Sequence, residues 1–207
     1  MQNYITHVSR LDRAMLISNG MNKIDQMSAV AREIENCKVC RAGKSGKAVV
    51  GEGSLDAEII FIGEAPGKNE AIEGRPFIGR SGKLLRSMIN GIGLLEKDIY
   101  ITSPVKYLPD RGTPTSADIA HGRIHLIRQL EIIQPKIVVL LGRVASEGVL
   151  EMKVQVTKEH GKILNQVQND DFNINYFLTL HPAAVLRFPW KYKNDFEEDF
   201  ITLKSLI

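Results

Sequence analysis

Short apolar runs alternate along the chain with longer stretches in which apolar residues recur at helical spacing. Four runs predict buried strands: AEIIFI (57–62), DIYITSPV (98–105), KIVVLLG (136–142) and NINYFLTLHP (173–182). The longer stretches predict helices at 23–36, 81–94, 115–135, 144–152 and 190–207. In the helix at 115–135, Thr115 is the expected N-cap and Pro135 the terminator. The alternation predicts an α/β fold, a three-layer α/β/α sandwich with a central, mostly parallel four-stranded sheet.

This alternation begins at residue 23, so we predict a single domain over residues 23–207, preceded by an N-terminal extension, residues 1–22. The chain has 207 residues, 43% hydrophobic and 25% charged, which is enough for one buried core. Residues 151–172 fit no strand or helix pattern and are predicted to form a hairpin or a loop.

The charge and the cysteine content of the chain limit its possible partners and its compartment. The net charge of +3 permits a polyanionic partner without requiring one. The chain has no apolar run of about 18 residues, and its first twenty residues carry two arginines and an aspartate where a signal peptide would be apolar. We therefore predict a cytoplasmic protein without membrane contact. Cys37 and Cys40 are too few for a disulfide framework, which indicates a reducing compartment or metal chemistry.

The loops that follow the strands carry the candidate chemistry, because ligands of open α/β sheets bind outside the carboxyl ends of the strands. The first loop, at 63–82, reads GEAPGKNEAIEGRPFIGRSG. It is not a Walker A loop, since Gly63 and Gly67 enclose three residues instead of four, and it contains no G-x-G-x-x-G. Its acids, its glycines and Phe77 instead suit a pocket in which a flat base stacks and is hydrogen-bonded at its edge. The loop after the third strand, GRVAS, is predicted to be a plain strand-to-helix turn.

Two motifs, GEAPGxxExxxGRPFxGxxGxLL from residue 63 and HPAxxLR from residue 181, resemble the two signature motifs of the uracil-DNA glycosylase superfamily, most closely its family 4. The resemblance covers roughly residues 30–205. It implies a monofunctional DNA glycosylase of base excision repair, which flips a deaminated base, above all uracil, out of DNA and hydrolyses its N-glycosidic bond. We accordingly expect DNA as the partner of a monomeric protein.

The same resemblance implies a role for individual residues. His181 would stabilise the negative charge on the departing uracil, while Glu64 and Glu70 would shape the pocket and orient water or substrate. Phe77 would stack on the flipped base. The predicted base-binding pocket consists of Gly63, Ala65, Gly67, Phe77 and Ser103. The predicted DNA wedge and backbone contacts are Ala184, Val185, Leu186, Arg187 and Lys191.

The chain departs from the family pattern at the residue that reads the base. Ser103 stands where the family has an asparagine at the end of the second strand. A hydroxyl group cannot make the bidentate pairing of an amide with a pyrimidine edge. We therefore expect weaker reading of uracil, or preference for a different damaged base.

A second departure concerns the [4Fe-4S] cluster, held by four cysteines, that the resemblance to family 4 implies. Cys37 and Cys40 match the first two ligands, but Tyr107 and Gly122 occupy the other two positions. We predict that the cluster is lost, that the two cysteines are its remnant, and that the protein has no cofactor. One alternative stays open, a mixed site in which one or both of His121 and His125 join the cysteines around a metal such as zinc.

Two functions from different classes follow from these departures. One is the DNA glycosylase. The other is a degenerate, non-catalytic relative that binds DNA or damaged bases without cutting them. Retention of the motif residues favours the enzyme, because a binding protein does not need a histidine that stabilises a transition state. These residues are Glu64, Glu70, Phe77, His181 and Arg187.

Overall fold

A computed structural model describes residues 21–164 and 174–207. Residues 1–20 of the predicted extension, and residues 165–172 of the predicted hairpin or loop, lie outside the described residues. The helices are α1 Lys23–Asn36, α2 Lys38–Arg41, α3 Lys68–Glu73, α4 Arg80–Gly91, α5 Ser116–Ile133, α6 Arg143–Leu150, α7 Val156–Glu159, α8 Pro182–Arg187 and α9 Pro189–Lys204. The strands are β1 Lys44–Ser45, β2 Glu52–Gly53, β3 Ile59–Ile62, β4 Ile99–Thr102, β5 Leu108–Pro109, β6 Ile137–Leu141, β7 Lys162–Ile163 and β8 Asn175–Thr179.

The central sheet has the strand order β2-β4-β3-β6-β8-β7. Its four inner strands are parallel and correspond to the four that the apolar runs predict, so the α/β fold with a mostly parallel sheet is confirmed. The sheet is wider than predicted, because β2 and β7 add an antiparallel strand at each edge. Each edge strand has only two residues, too few for a hydrophobic period to show in the sequence.

Both faces of the sheet are covered by helices. On one face, Ile60 and Ile62 of β3 join a core with residues of α1 and α5. On the other face, Ile59 and Phe61 join a second core with residues of α4 and α9. This alternation is the period of two expected for a strand buried on both sides. Full burial of each such side chain stabilises the fold by roughly 1.5–3 kcal/mol.

Helix α5 begins and ends where the sequence predicts. The Thr115 hydroxyl accepts a hydrogen bond from the Asp118 amide, and the Asp118 carboxylate accepts one from the Thr115 amide, which forms a capping box. Gln134, in the left-handed conformation, ends the helix directly before Pro135. Near its start α5 lies against the loop after β4, where a Cβ on Gly122 would stand 2.1 Å from the Pro104 carbonyl oxygen. Only glycine allows this approach.

The fold also bears on membrane contact. Across residues 21–164 and 174–207, no helix is both long enough and apolar enough to cross a bilayer.

Candidate active site and metal centre

A cavity of about 440 Å³ opens where β3, β4 and β8 end. The size is typical of a small-molecule site. Three of the loops that follow the strands contribute to it, as the position of ligand sites in α/β sheets predicts. Its lining includes Glu64, Ala65, Gly67, Glu70, Phe77, Ser103 and His181. The remaining predicted pocket residue, Gly63, lies against the Phe77 ring, and a Cβ on it would stand 2.5 Å from Cζ of that ring.

Phe77 adopts a backbone conformation that is strained for a residue with a side chain. Its φ is +52°, in the left-handed region, and such strain persists only where surrounding contacts enforce it. Gly82 in the first turn of α4 is one of these contacts, since a Cβ there would stand 1.8 Å from the Phe77 carbonyl oxygen. Arg86 is another, because its Nε donates to the same oxygen at 3.1 Å and its Nη2 donates to Pro76 O at 3.1 Å.

Two carboxylates anchor the first loop. Glu52 of β2 accepts hydrogen bonds from Arg75 and Arg86, and these guanidinium groups hold its pKa below the usual range. Glu70 of α3 accepts from the Ile78 and Gly79 amides at 3.0 and 2.8 Å, at the start of α4. A carboxylate is stabilised at this end of a helix by the helix dipole. Glu70 therefore positions the loop that carries Phe77, in addition to lining the cavity.

The first loop contains a helix that the sequence pattern did not predict. Helix α3 has six residues between Gly67 at its N-cap and Gly74 at its C-cap, where φ is +81°. Only Ala71 of this helix is buried, so it has too few apolar positions for a helical period to show.

Glu64 is a half-buried carboxylate in the cavity wall. Desolvation raises its pKa, and the positive charge of Arg143 partly opposes this shift. A carboxylate with a raised pKa and access to a cavity can hold a water molecule and accept a proton from it.

His181 is the N-cap of α8, and its environment fixes its protonation. The Ala183 amide donates to Nδ1 at 3.2 Å, so Nδ1 carries no proton and the neutral ring carries its proton on Nε2. Desolvation lowers the pKa of His181 to about 4, so the ring is neutral near pH 7. The centre of the ring lies 6.1 Å from that of Phe77. The two side chains thus form adjacent walls of the cavity.

The loop after β6 supports His181, although the sequence predicts only a plain turn there. Gly142 has a φ of +83°, and a Cβ on it would stand 3.0 Å from Cβ of His181. Arg143 supplies the positive charge that opposes the pKa shift of Glu64. The signal available in the sequence was a glycine directly after a buried strand, followed by a basic residue.

Ser103 is 6% exposed, and its hydroxyl group donates its hydrogen bond within the protein. Its Oγ donates to the Val105 carbonyl at 2.8 Å. Toward the cavity the oxygen can therefore act only as an acceptor.

The amino-acid sequence matches the family model of the uracil DNA glycosylase superfamily over residues 50–204. This range includes all of the cavity residues named above. The chain belongs to the uracil-DNA glycosylase superfamily. The recognition from the two loop motifs is thus confirmed.

Curated members of this superfamily are similar to the chain over most of its length. The type-4 uracil-DNA glycosylase of Sulfurisphaera tokodaii is 40% identical over 190 residues, 88% of this chain and 86% of the relative. That of Saccharolobus solfataricus is 38% identical over 190 residues, 89% of this chain and 88% of the relative. That of Archaeoglobus fulgidus is 35% identical over 189 residues, 88% of this chain and 94% of the relative.

The structure of this superfamily member disagrees with one residue of the predicted DNA wedge. Val185 is 3% exposed and packs in the core with α4 and α9, so its side chain is not available to enter a duplex. Leu186, Arg187 and Lys191 are exposed and Ala184 is half-buried. Helical geometry causes the difference, because α8 turns one of its faces to the core. Trp190, not singled out from the sequence, is 81% exposed and contacts Phe188, which enlarges the exposed apolar surface.

The prediction that this superfamily member has no cofactor is not confirmed. Four potential ligand atoms lie within 4.8 Å of one another, and we call this set the Cys2His2 group: Cys37, Cys40, His121 and His125. The positions where the resemblance implies the third and fourth cysteines serve other contacts. Tyr107 donates to the Ile34 carbonyl at 3.3 Å, and Gly122 packs on Pro104.

Burial of the Cys2His2 group leaves polar atoms without partners. Among the described residues, neither ring nitrogen of His125 has a hydrogen-bond partner. A buried polar atom without a partner costs roughly 1–3 kcal/mol. Burial lowers the pKa of His125 to about 4, so its ring is neutral near pH 7. Burial and the neighbouring Cys37 raise the pKa of the Cys40 thiol to about 12.

Proposed function

We propose that this chain is a monofunctional uracil-DNA glycosylase, which flips uracil out of DNA, hydrolyses its N-glycosidic bond and leaves an abasic site. The observation that carries the proposal is the neutral His181, whose Nε2–H is left free for the cavity because Nδ1 accepts the Ala183 amide. The names of the type-4 relatives support uracil in DNA as the substrate.

The proposed reaction begins with a flipped uracil stacked on Phe77. As the bond between C1′ and N1 breaks, its electron pair stays on the base, which leaves as an anion with charge on its carbonyl oxygen. A donor aimed at that oxygen binds more strongly in the transition state than in the ground state, which is the condition for rate enhancement. Nε2–H of His181 is this donor. The uracil anion then takes a proton from solvent.

Water completes the reaction at the sugar. The cationic C1′ forms a bond to a water molecule held by Glu64, and the proton of that water passes to the Glu64 carboxylate. The carboxylate suits this step because desolvation raises its pKa and makes it a better proton acceptor than a solvated glutamate. Glu70 has a positioning role in this scheme, since its Oε1 accepts hydrogen bonds from the Ile78 and Gly79 amides.

The exposed side chains of α8 and α9 are proposed to meet the duplex. Leu186 and Arg187 can fill the space that the flipped base leaves, which offsets an unstacking cost of a few kcal/mol. Lys191 adds a positive charge next to them for phosphate contact.

A uracil-containing duplex tests the proposal directly. The duplex is incubated with the protein, and abasic sites are then cleaved with alkali. We expect a single break at the uracil position and no break in the matching thymine duplex. Absence of any break above the background of a His181→Ala variant would refute the glycosylase and leave the non-catalytic binding protein.

Ser103 is proposed to accept a hydrogen bond from an N–H group on the edge of the base, because its own hydrogen is given to Val105. We expect Ser103→Ala to slow excision of uracil by roughly 3–10-fold, the value of one hydrogen bond. We expect Ser103→Asn to speed it by restoring a bidentate amide. The measurement is the single-turnover rate on duplexes with uracil, hypoxanthine or xanthine, with melting temperatures as the check on folding. A strong preference for uracil together with an unchanged rate in Ser103→Ala would contradict this role.

The pH dependence of the rate reports on Glu64. The carboxylate acts as a base only when ionised, and its pKa is raised. Activity should therefore fall as pH drops through this raised pKa, by about tenfold per pH unit, and at a higher pH than for a solvated glutamate. Glu64→Gln should lack this acid limb, and Arg143→Gln should move it to higher pH by removing the opposing charge. An acid limb that survives in Glu64→Gln would assign the titration to another group.

A further inference from the structure

We propose that the Cys2His2 group binds a single structural zinc ion, in place of the four-iron cluster that the resemblance to type-4 relatives implies. The proposal is independent of the glycosylase activity. It follows from the distances within the group, its ligand types and its position in the fold.

The distances fit one ion. Zinc bonds thiolate sulfur at about 2.3 Å and imidazole nitrogen at about 2.0–2.1 Å, so a tetrahedral site places its ligand atoms roughly 3.3–3.8 Å apart. In the Cys2His2 group, Cys37 Sγ and His121 Nε2 are 3.1 Å apart, and all four ligand atoms lie within 4.8 Å. Side-chain rotations that move the ligand atoms by about 1 Å bring them to tetrahedral spacing.

The same distances argue against iron–sulfur clusters. A four-iron cluster takes four thiolates, each bonded to a different iron, and the chain has only two cysteines. A two-iron cluster of the Rieske type takes two cysteines and two histidines, but the cysteines bind one iron and the histidines the other. In that arrangement the cysteine sulfurs and the histidine nitrogens lie on opposite sides of the cluster. The 3.1 Å between Cys37 Sγ and His121 Nε2 instead fits two ligands of the same ion.

The sequence spacing and the local geometry are those of a structural zinc site. The ligands come as C-x2-C and H-x3-H, the spacing of mixed zinc sites, with His121 and His125 one turn apart on α5. The Cys40 amide donates to Cys37 Sγ at 3.3 Å, which orients the sulfur as outer-shell hydrogen bonds of metal sites do. Among the described residues that line the cavity, none belongs to the group. Four protein ligands leave no open position for substrate, so the ion has a structural role.

Charge and softness favour zinc over other ions. Two thiolates balance the two positive charges of the ion, so the buried site is neutral overall. A tetrahedral set of two sulfur and two nitrogen ligands is typical of zinc, and soft thiolate ligands favour zinc over hard ions such as magnesium and manganese. One of the two unpartnered ring nitrogens of His125 gains a bond when the ion is present.

Metal analysis of the purified full-length protein tests the proposal. Cells are supplied with both zinc and iron, and metal content is measured by mass spectrometry. We expect about one zinc per chain and no stoichiometric iron. After removal of the metal with a chelator, cobalt(II) should give the intense visible bands of a tetrahedral site and a thiolate charge-transfer band. The melting temperature of the stripped protein should be lower by more than about 5 °C and should recover with zinc.

Substitutions of the proposed ligands show which residues bind the ion. Cys37→Ser and His125→Ala should bind zinc more than about 100-fold more weakly, because loss of outer-shell partners alone costs 10–100-fold. His181→Asn is the matched control, a histidine variant outside the group that should keep one zinc while excising uracil more slowly. The cobalt spectrum of the wild-type chain keeps the test decisive if a variant fails to fold. Stoichiometric iron with broad visible absorption, or wild-type protein that binds neither zinc nor cobalt, would overturn the proposal.

Discussion

Replacement of His181 by asparagine is expected to slow excision of uracil by roughly 10²–10³-fold, the usual cost of removing one donor to a developing oxyanion. The asparagine oxygen can still accept the Ala183 amide and cap α8, since asparagine is among the best N-cap residues. What the substitution removes is the reach of Nε2–H into the cavity. The measurement is the single-turnover rate on a uracil duplex.

The affinity of the variant for DNA distinguishes a loss of catalysis from a loss of structure. The affinity of His181→Asn for a uracil duplex should stay near that of the wild-type protein, because a hydrogen bond that strengthens in the transition state contributes little to ground-state binding. The melting temperature should also be unchanged. A variant with the wild-type rate would show that another group stabilises the charge on the base. Equal losses of rate and affinity would indicate that His181 stabilises the bound substrate and the transition state equally.

Gly82→Ala is expected to lower both stability and activity by a large amount. The new Cβ would stand 1.8 Å from the Phe77 carbonyl oxygen, so the strained turn at Phe77 must move. Overpacking of this kind costs about 1–3 kcal/mol, and a displacement of about 1 Å at a reacting site can cost 10²-fold in rate. Urea denaturation and the single-turnover rate measure the two effects.

Gly91→Ala is the matched control for this substitution, because Gly91 lies on the same helix and a Cβ there meets nothing within 4 Å. Exchange of glycine for alanine in a helix should stabilise the protein by up to about 1 kcal/mol and leave the rate unchanged. If both variants changed stability in the same direction, the contact between Gly82 and Phe77 would not be what enforces the conformation of the loop.

The sequence predicts most of the scaffold because its periodic signals are strong. The four parallel strands are continuous apolar runs, and α5 has its cap at Thr115. The edge strands β2 and β7 have two residues each and carry no such signal. The burial of Val185 depends on how α8 is oriented relative to the core, which a seven-residue motif does not encode.

The sequence predicts which residues form the candidate site better than it predicts their chemical roles. The loop motifs select Glu64, Phe77 and His181, and the fold brings them to one cavity. The tautomer of His181 and the donor role of the Ser103 hydroxyl depend on hydrogen bonds to backbone groups, which only coordinates show. The Cys2His2 group was left as an open alternative, because its two pairs of ligands lie about eighty residues apart in the chain and their approach is a tertiary contact.

The close approach of Gly122 to Pro104 bears on how the ligand set can evolve. A cysteine at position 122 would place its Cβ 2.1 Å from the Pro104 carbonyl oxygen, and a cysteine at position 107 would lose the hydrogen bond from Tyr107 to Ile34. Each substitution alone would therefore lower the stability of the fold. The packing at positions 107 and 122 thus opposes a four-cysteine ligand set, because each of the two cysteines would have to be accommodated separately.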